Sequence, residues 1–380
     1  MKAPGSRQLS PFSSNPIRLS WREWSAAALA CTVALYLLPI AWPAVGARLS
    51  RPDYRLPTEL SSDYWMFEKL AERSHAERQA AVLGDSVIWG QYARNDDTLT
   101  HHLNSLLVEP VFANLGVDGL HPAAMAGLVA YYGGALENEP VLVHFNPLWM
   151  ASAEQDLETE GEVRFNHPKL VPQLLNRPAS YHPAPAEAIG AVLERRLPFL
   201  NWKEHLKIAY CEGMAFPEWT LENPYALLPA GRGPDSFSSD EPGSQPLTWR
   251  ERGITSQNLP WVEASHSYQW RSLLRTIGLL KSRRNRVFVL VGPFNTHALT
   301  RESQPRYRAL LAEMERWLEQ ERVPYYAPPA LPTDLYADAS HPLGAGYRRL
   351  AKDLLESRSF QGWMKSWARE PRAQRTPERK

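Results

Sequence analysis

Short apolar runs alternate with amphipathic stretches in two parts of this 380-residue chain. The apolar runs are 80–83, 111–114, 141–145, 287–291 and 323–326. Alternation of this kind predicts parallel strands with helices on both faces of the sheet. We therefore expect an α/β protein with a three-layer parallel sheet. The long irregular stretch 150–262 is then an insertion after the third strand.

The segment 25–47 contains no charged residue. A helix of that length extends about 35 Å, enough to cross a hydrocarbon core of about 30 Å. We expect a retained transmembrane anchor, and a cleaved secretory signal ending near Ala47 is the alternative. Basic residues lie on both sides of the segment, with a weak preference for a cytoplasmic N-terminus. The rest of the chain is thus expected to be periplasmic, on the outer side of the inner membrane.

Composition limits the partners, metals and cofactors that we expect for this chain. The chain has 42 basic and 41 acidic residues, a net charge of +1, and no long basic block, so we expect no nucleic-acid partner. Cys31 and Cys211 cannot form a zinc site, and we expect neither a metal nor a cofactor. The expected organisation is a cytoplasmic tail at 1–24, the anchor at 25–47, a tether at 48–75, a catalytic domain at 76–149 and 263–358, the insertion at 150–262 and a C-terminal tail at 359–380.

Four polar motifs follow the expected strands at their carboxyl ends. They are GDSVIWG at 84–90, NLGVDG at 114–119, HFN at 144–146 and DASHP at 338–342. The carboxyl edge of an open α/β sheet is where ligands bind. Taken singly, the first motif is also typical of a turn, and the last is also typical of a capped helix entry.

Together, the four motifs resemble those of the SGNH, or GDSL, hydrolase superfamily. The resemblance covers about 80–150 and 286–356 and implies a flavodoxin-like three-layer fold. It implies that Ser86 is the nucleophile, with His341 and Asp338 completing the catalytic triad. It further implies an oxyanion hole made by the backbone N–H groups of Ser86 and Gly119 and the side-chain amide of Asn146.

The chemistry requires these residue types together. A serine hydroxyl is a weak nucleophile and needs an adjacent base, which here is His341. The base needs a carboxylate on its other ring nitrogen, here Asp338. The tetrahedral intermediate then needs preplaced hydrogen-bond donors.

Two features remain open at this stage. The third motif of the superfamily usually reads Gly-x-Asn-Asp, and here His144 stands in place of the glycine. His144 is either a buried, hydrogen-bonded side chain or a second polar group in the pocket, and a change that spoils the oxyanion hole is a further alternative.

The insertion is rich in aromatic residues, which suit either sugar binding or a core. These are Trp202, Trp219, Trp249, Trp261, Trp270, Tyr181, Tyr210 and Tyr225.

One anchor followed by such a domain resembles polysaccharide O-acetyltransferases of the alginate type and the teichoic acid D-alanyl transfer protein. This resemblance implies transfer of an acyl group, with acetyl expected, onto a cell-surface polysaccharide or glycan. It also implies a membrane-bound acyl-donor protein as partner. A plain esterase or deacetylase is the alternative within the same chemistry. A non-catalytic polysaccharide-binding or assembly factor that kept the fold is the alternative from another class.

Overall fold

The computed structural model of the protein describes residues 20–42, 55–56, 60–226 and 246–368. The chain divides into two compact units, Met1–Val45 and Gly46–Lys380. In the described residues the α-helices are, in chain order, α1 Trp21–Ala41, α2 Tyr64–Ala76, α3 Ser86–Trp89, α4 Leu99–Ser105, α5 Pro122–Tyr132, α6 Pro185–Arg196, α7 Pro198–Tyr210, α8 Phe216–Glu222, α9 Tyr268–Ser282, α10 Ser303–Gln320, α11 Gly344–Glu356 and α12 Arg358–Ala368. The strands are β1 Ala80–Gly84, β2 Phe112–Gly116, β3 Pro140–Phe145, β4 Arg286–Val291 and β5 Tyr325–Tyr326.

The first unit contains α1. A capping box begins this helix: the Ser20 hydroxyl accepts from the Glu23 N–H at 3.4 Å, and the Glu23 carboxylate accepts from the Ser20 N–H at 2.7 Å. By length and composition α1 could cross a membrane, and a signal sequence would meet the same criteria. The helix begins at Trp21, inside the tail predicted at 1–24. The rest of that tail, 1–19, and the end of the predicted anchor, 43–47, lie outside the described residues.

The described strands of the second unit form one parallel sheet in the order β2-β1-β3-β4-β5. The register pairs Gly84 with Gly116 and Phe145 with Val291, so neighbouring strands end along the same edge. This result confirms the predicted α/β class and the parallel sheet, with the insertion between the third and fourth strands. The fifth strand is shorter than the predicted 323–326.

Helices cover both faces of this sheet. Helices α2, α5 and α9 pack together on one face, where the rings of Phe145 and Trp270 lie 5.4 Å apart. Helices α4, α11 and α12 cover the other face, where Val82 and Leu142 share a core with Tyr347. Successive strand side chains point to opposite faces, and both faces are buried, which explains the continuous apolar runs in the sequence.

Two segments that the sequence places outside the catalytic domain contain helices. The predicted tail at 359–380 contains α12, whose Phe360 and Trp363 are buried against the sheet; residues 369–380 lie outside the described residues. The predicted tether at 48–75 leads into α2, close to the helix that the sequence favours near 64–78, and Leu56 and Leu60 before it are buried. Residues 48–54 and 57–59 lie outside the described residues.

The insertion is more regular than its sequence indicated, because it contains α6, α7 and α8. Its aromatic residues are mostly core side chains. The tryptophans at 202, 219, 249 and 261 are all buried, as is Trp270, which lies beyond the insertion in α9, whereas Tyr225 is 98% exposed. A general sugar-binding role for these tryptophans is therefore not supported. Residues 227–245, which include most of the Gly/Ser/Pro-rich stretch 230–246 of the insertion, lie outside the described residues.

Candidate active site

The nucleophile candidate Ser86 is the first residue of α3, directly after β1. The Asp85 carboxylate begins this helix by accepting from the Val87 N–H at 3.0 Å. Gly84 cannot be replaced without a clash, because a Cβ there would lie 2.9 Å from the Cβ of His144. Gly90 ends the helix with a φ of +93°, a conformation that favours glycine. The strand-to-helix turn therefore holds Ser86 at the carboxyl edge of the sheet.

Ser86, His341 and Asp338 are brought together although 255 residues separate the first two. The Ser86 Oγ lies 2.8 Å from His341 Nε2, and both oxygens of Asp338 lie 2.8 Å from His341 Nδ1. A carboxylate can only accept, so Nδ1 carries the proton and Nε2 is free to accept from the Ser86 hydroxyl. This is the arrangement that the sequence predicted for a nucleophile, its base and the group that orients the base.

The turn that carries Asp338 and His341 is fixed locally. Asp338 Oδ1 accepts from the backbone N–H groups of Ser340 and His341, each at 2.9 Å. Burial alone would raise the pKa of the Asp338 carboxyl, but these bonds and His341 hold it below its ordinary value. Burial alone would likewise lower the pKa of His341, yet the hydrogen bond and charge of Asp338, with the charges of Asp85 and Asp118, raise it. These interactions therefore stabilise the protonated form of His341, which is the form present after the base has taken a proton.

The residues predicted for the oxyanion hole lie on three neighbouring strand ends. In the described part of the chain, no hydrogen bond engages the Ser86 N–H. The Asn146 side-chain nitrogen donates one hydrogen to Asp85 Oδ2 at 2.9 Å, and no described hydrogen bond uses its second hydrogen. Two N–H groups close to the nucleophile thus remain available to a ligand.

Gly119 is held in a conformation that a larger residue would not adopt. Its φ is +69°, and a Cβ at this position would lie 2.2 Å from Nδ2 of Asn166, which belongs to the insertion. Burial raises the pKa of the adjacent Asp118, and the nearby His341 and the Gly119 N–H partly oppose that effect. The Gly119 N–H therefore lies near a carboxyl group as well as near the site.

Asp85 is the residue of this site that the sequence reasoning missed. Its Oδ2 accepts from Asn146 and from the indole N–H of Trp149, both at 2.9 Å. Its Oδ1 lies 3.2 Å from Nδ1 of His144. Burial would raise the pKa of Asp85, but His144 and the other donors lower it to about 2. The Gly-Asp-Ser motif marks Asp85 only as the neighbour of the nucleophile, and no local pattern indicates its contacts with Asn146 and Trp149.

His144 is buried and hydrogen-bonded, the first alternative that the sequence left open. Its Nε2 lies 3.0 Å from the carbonyl oxygen of Gly292, and its side chain is 1% exposed. It therefore lies behind the site rather than in an open pocket.

Tyr92 and Arg252 were also missed, and no motif marks either. The Tyr92 ring stands edge-on to the His341 ring at 5.6 Å. The Arg252 guanidinium, from the end of the insertion, lies 4.0 Å above the Tyr92 ring. Among the described residues, no group of three or more His, Cys, Asp or Glu side chains is placed to hold a metal ion.

Comparison with known proteins adds no family assignment. A scan against protein-family models and a search of the curated proteins both gave no match. The functional interpretation therefore rests on the motif residues and their geometry.

Proposed function

We propose that the protein is a membrane-anchored, extracytoplasmic serine enzyme of the SGNH type. It transfers an acyl group, with acetyl expected, to a cell-surface polysaccharide or glycan through an acyl-enzyme on Ser86. The observation that supports this proposal best is the continuous chain of contacts from Ser86 through His341 to Asp338. Helix α1 supports the anchor, and a membrane-bound acyl donor is the expected partner.

In the first half-reaction the Ser86 oxygen attacks the carbonyl carbon of the donor ester, and its proton passes to His341 Nε2. The negative charge on the carbonyl oxygen is stabilised by the Ser86 N–H and the Asn146 amide, with Gly119 as the third donor. The bond from the carbonyl carbon to the leaving oxygen then breaks, and His341 returns the proton to that oxygen. Ser86 is left as an ester.

In the second half-reaction a hydroxyl group attacks the carbonyl carbon of the Ser86 ester and gives its proton to His341. The bond from that carbon to the Ser86 oxygen then breaks, and His341 returns the proton to Ser86. A sugar hydroxyl yields an acylated glycan, whereas water yields a free acid. Transfer and hydrolysis therefore share every residue of the triad and differ only in which acceptor reaches the acyl-enzyme. The relevant measurement is the ratio of acylated oligosaccharide to free acid.

The test of the proposal is the Ser86→Ala variant of the full chain in detergent. Turnover of a chromogenic acetyl ester should be abolished while the fold is kept, because the change removes one oxygen from a turn residue. The intact mass of the wild type, but not of the variant, should increase by one acetyl group. Ser74→Ala is a matched control, since Ser74 is a buried serine of α2 outside the site.

Wild-type activity in the Ser86→Ala protein would refute the proposal. A Ser86 that neither turns over the ester nor reacts with a fluorophosphonate would instead favour the binding or assembly role.

A further inference from the structure

A histidine and a carboxylate are buried together directly behind the nucleophile. The side chains of His144 and Asp85 are 1% and 2% exposed, and His144 Nδ1 lies 3.2 Å from Asp85 Oδ1. The contact is close but does not meet the geometry of a hydrogen bond. Burying charged groups is costly unless they are paired, which makes such a pair notable at this position.

The partners of His144 indicate where its protons lie. The Gly292 carbonyl oxygen, 3.0 Å from Nε2, can only accept, so Nε2 carries a hydrogen. That hydrogen bond fixes the plane of the ring and leaves Nδ1 facing Asp85 Oδ1.

Asp85 contacts both His144 and a residue of the expected oxyanion hole. Its second oxygen accepts from the Asn146 amide, the donor expected to meet the oxyanion, and from Trp149. The orientation of the Asn146 amide therefore depends on where the Asp85 carboxylate lies, together with the Leu148 N–H that donates to Asn146 Oδ1 at 3.1 Å.

We propose that His144 is a positioning residue for the oxyanion hole: held by the Gly292 carbonyl, it fixes the place of the Asp85 carboxylate, which orients the Asn146 amide. This inference rests on the proposed acyl-enzyme chemistry. It gives a function to the histidine that stands where the superfamily motif has glycine. The alternative is that the pair only stabilises the fold.

The test compares variants of the full chain with a chromogenic acetyl ester as substrate. His144→Gln keeps a hydrogen-bond donor but replaces the rigid ring between Gly292 and Asp85 with a flexible amide. We expect kcat to fall at least about tenfold with KM little changed, the pattern for a lost transition-state interaction. Asn146→Ala should cost about 10²- to 10³-fold, as for removal of one oxyanion donor. Rates are expressed per serine labelled by a fluorophosphonate, so that unfolded protein does not count.

The matched control is His205→Gln. His205 is also buried against a carboxylate, with Nδ1 2.7 Å from Asp63 Oδ2, but the pair joins α7 to the start of α2 rather than the site. This variant should lose stability and keep kcat. An equal loss of kcat in both histidine variants would show that the effect is general destabilisation and would overturn the inference.

The double variant decides whether His144 acts through Asn146. In the Asn146→Ala background, His144→Gln should lower kcat by less than about twofold, because the orientation of the amide no longer matters. A full additional tenfold loss would overturn the inference. A loss of turnover in Ser86→Ala together with an unaffected His144→Gln variant would refute the role of His144 alone and leave the proposed function standing.

A measurement on the wild type covers the case in which His144→Gln does not fold. In protein with ¹⁵N-labelled histidine, Nε2 of His144 should carry a hydrogen that is bonded to the Gly292 carbonyl oxygen. A bare Nε2 would show that the ring is not held in this orientation and would contradict the positioning role.

Discussion

Replacement of Trp249 distinguishes a core role from a sugar-binding role in the insertion. Trp249 is 4% exposed and shares a small core with Leu331 and Tyr336. Its indole N–H donates to the carbonyl and hydroxyl oxygens of Thr333 at 3.0 and 3.1 Å, and its backbone N–H donates to the Tyr336 carbonyl at 2.9 Å. Asp338 lies two residues beyond Tyr336, so Trp249 supports the segment that carries the triad carboxylate.

The expected loss of stability follows from this burial. Truncation of a buried tryptophan to alanine costs about 3–5 kcal/mol, because a large apolar group is lost and a cavity remains. Trp249→Phe should cost less: it keeps most of the packing and loses the indole hydrogen bonds, each of which contributes about 0.5–1.5 kcal/mol. Since a typical domain is stable by only about 5–15 kcal/mol, the alanine variant should be close to unfolding.

The assay is urea unfolding followed by circular dichroism, with turnover of the small acetyl ester measured on the same samples. Trp249→Ala should lower both the unfolding midpoint and the ester turnover, and Trp249→Phe should lie between it and the wild type. Tyr225→Ala is the control, because that ring is fully exposed and its loss should change neither quantity. An unchanged midpoint and unchanged ester turnover, with transfer to a glycan lost, would refute the core role and restore the sugar-binding interpretation.

Two further outcomes are expected. The acidic limb of the pH profile of kcat/KM should lie above the ordinary histidine pKa of about 6.5, because His341 must be neutral to act as a base and Asp338 raises its pKa. Asp338→Asn removes the largest effect that raises the pKa of His341 and leaves burial opposed only by the smaller effects of Asp85 and Asp118. The limb should therefore move to lower pH as the rate falls by up to about 10⁴-fold, and a limb that stays in place would contradict this assignment. The full protein should remain in the membrane fraction after a high-salt wash, whereas a soluble periplasmic form that begins near residue 48 would show that α1 belongs to a cleaved signal.

The sheet was predictable because its strands are short and buried on both faces. Each therefore stands out as a continuous apolar run, and these runs located four of the five strands closely. Helices α6 and α7 were not predicted because prolines argued against regular structure there. Pro185 and Pro198 are the first residues of these helices, where the missing N–H breaks no hydrogen bond. Helix α12 was missed for another reason: Phe360, Trp363 and Trp367 form its apolar face within a segment that is otherwise polar.

The triad candidates were predictable because the nucleophile and the pair of base and carboxylate each fall in a short local motif. The role of Asp85 was not, since its contact with Asn146 joins residues 61 positions apart. The contact of Tyr92 with His341 is likewise tertiary, and no spacing in the sequence indicates it. Local motifs thus locate the groups expected to react, whereas the groups that orient them depend on the packed structure.

The insertion contributes to the framework of the site rather than forming a separate appendage. Asn166 packs against Gly119, and His167 Nε2 donates to the carbonyl oxygen of Asp118 at 2.7 Å. At its other end, Trp249 supports the segment that leads to Asp338. Because both ends hold loops that carry site residues, a change in the insertion can alter the triad without contacting a glycan. Loss of glycan transfer therefore indicates an acceptor site only when turnover of a small ester by the same variant is unchanged.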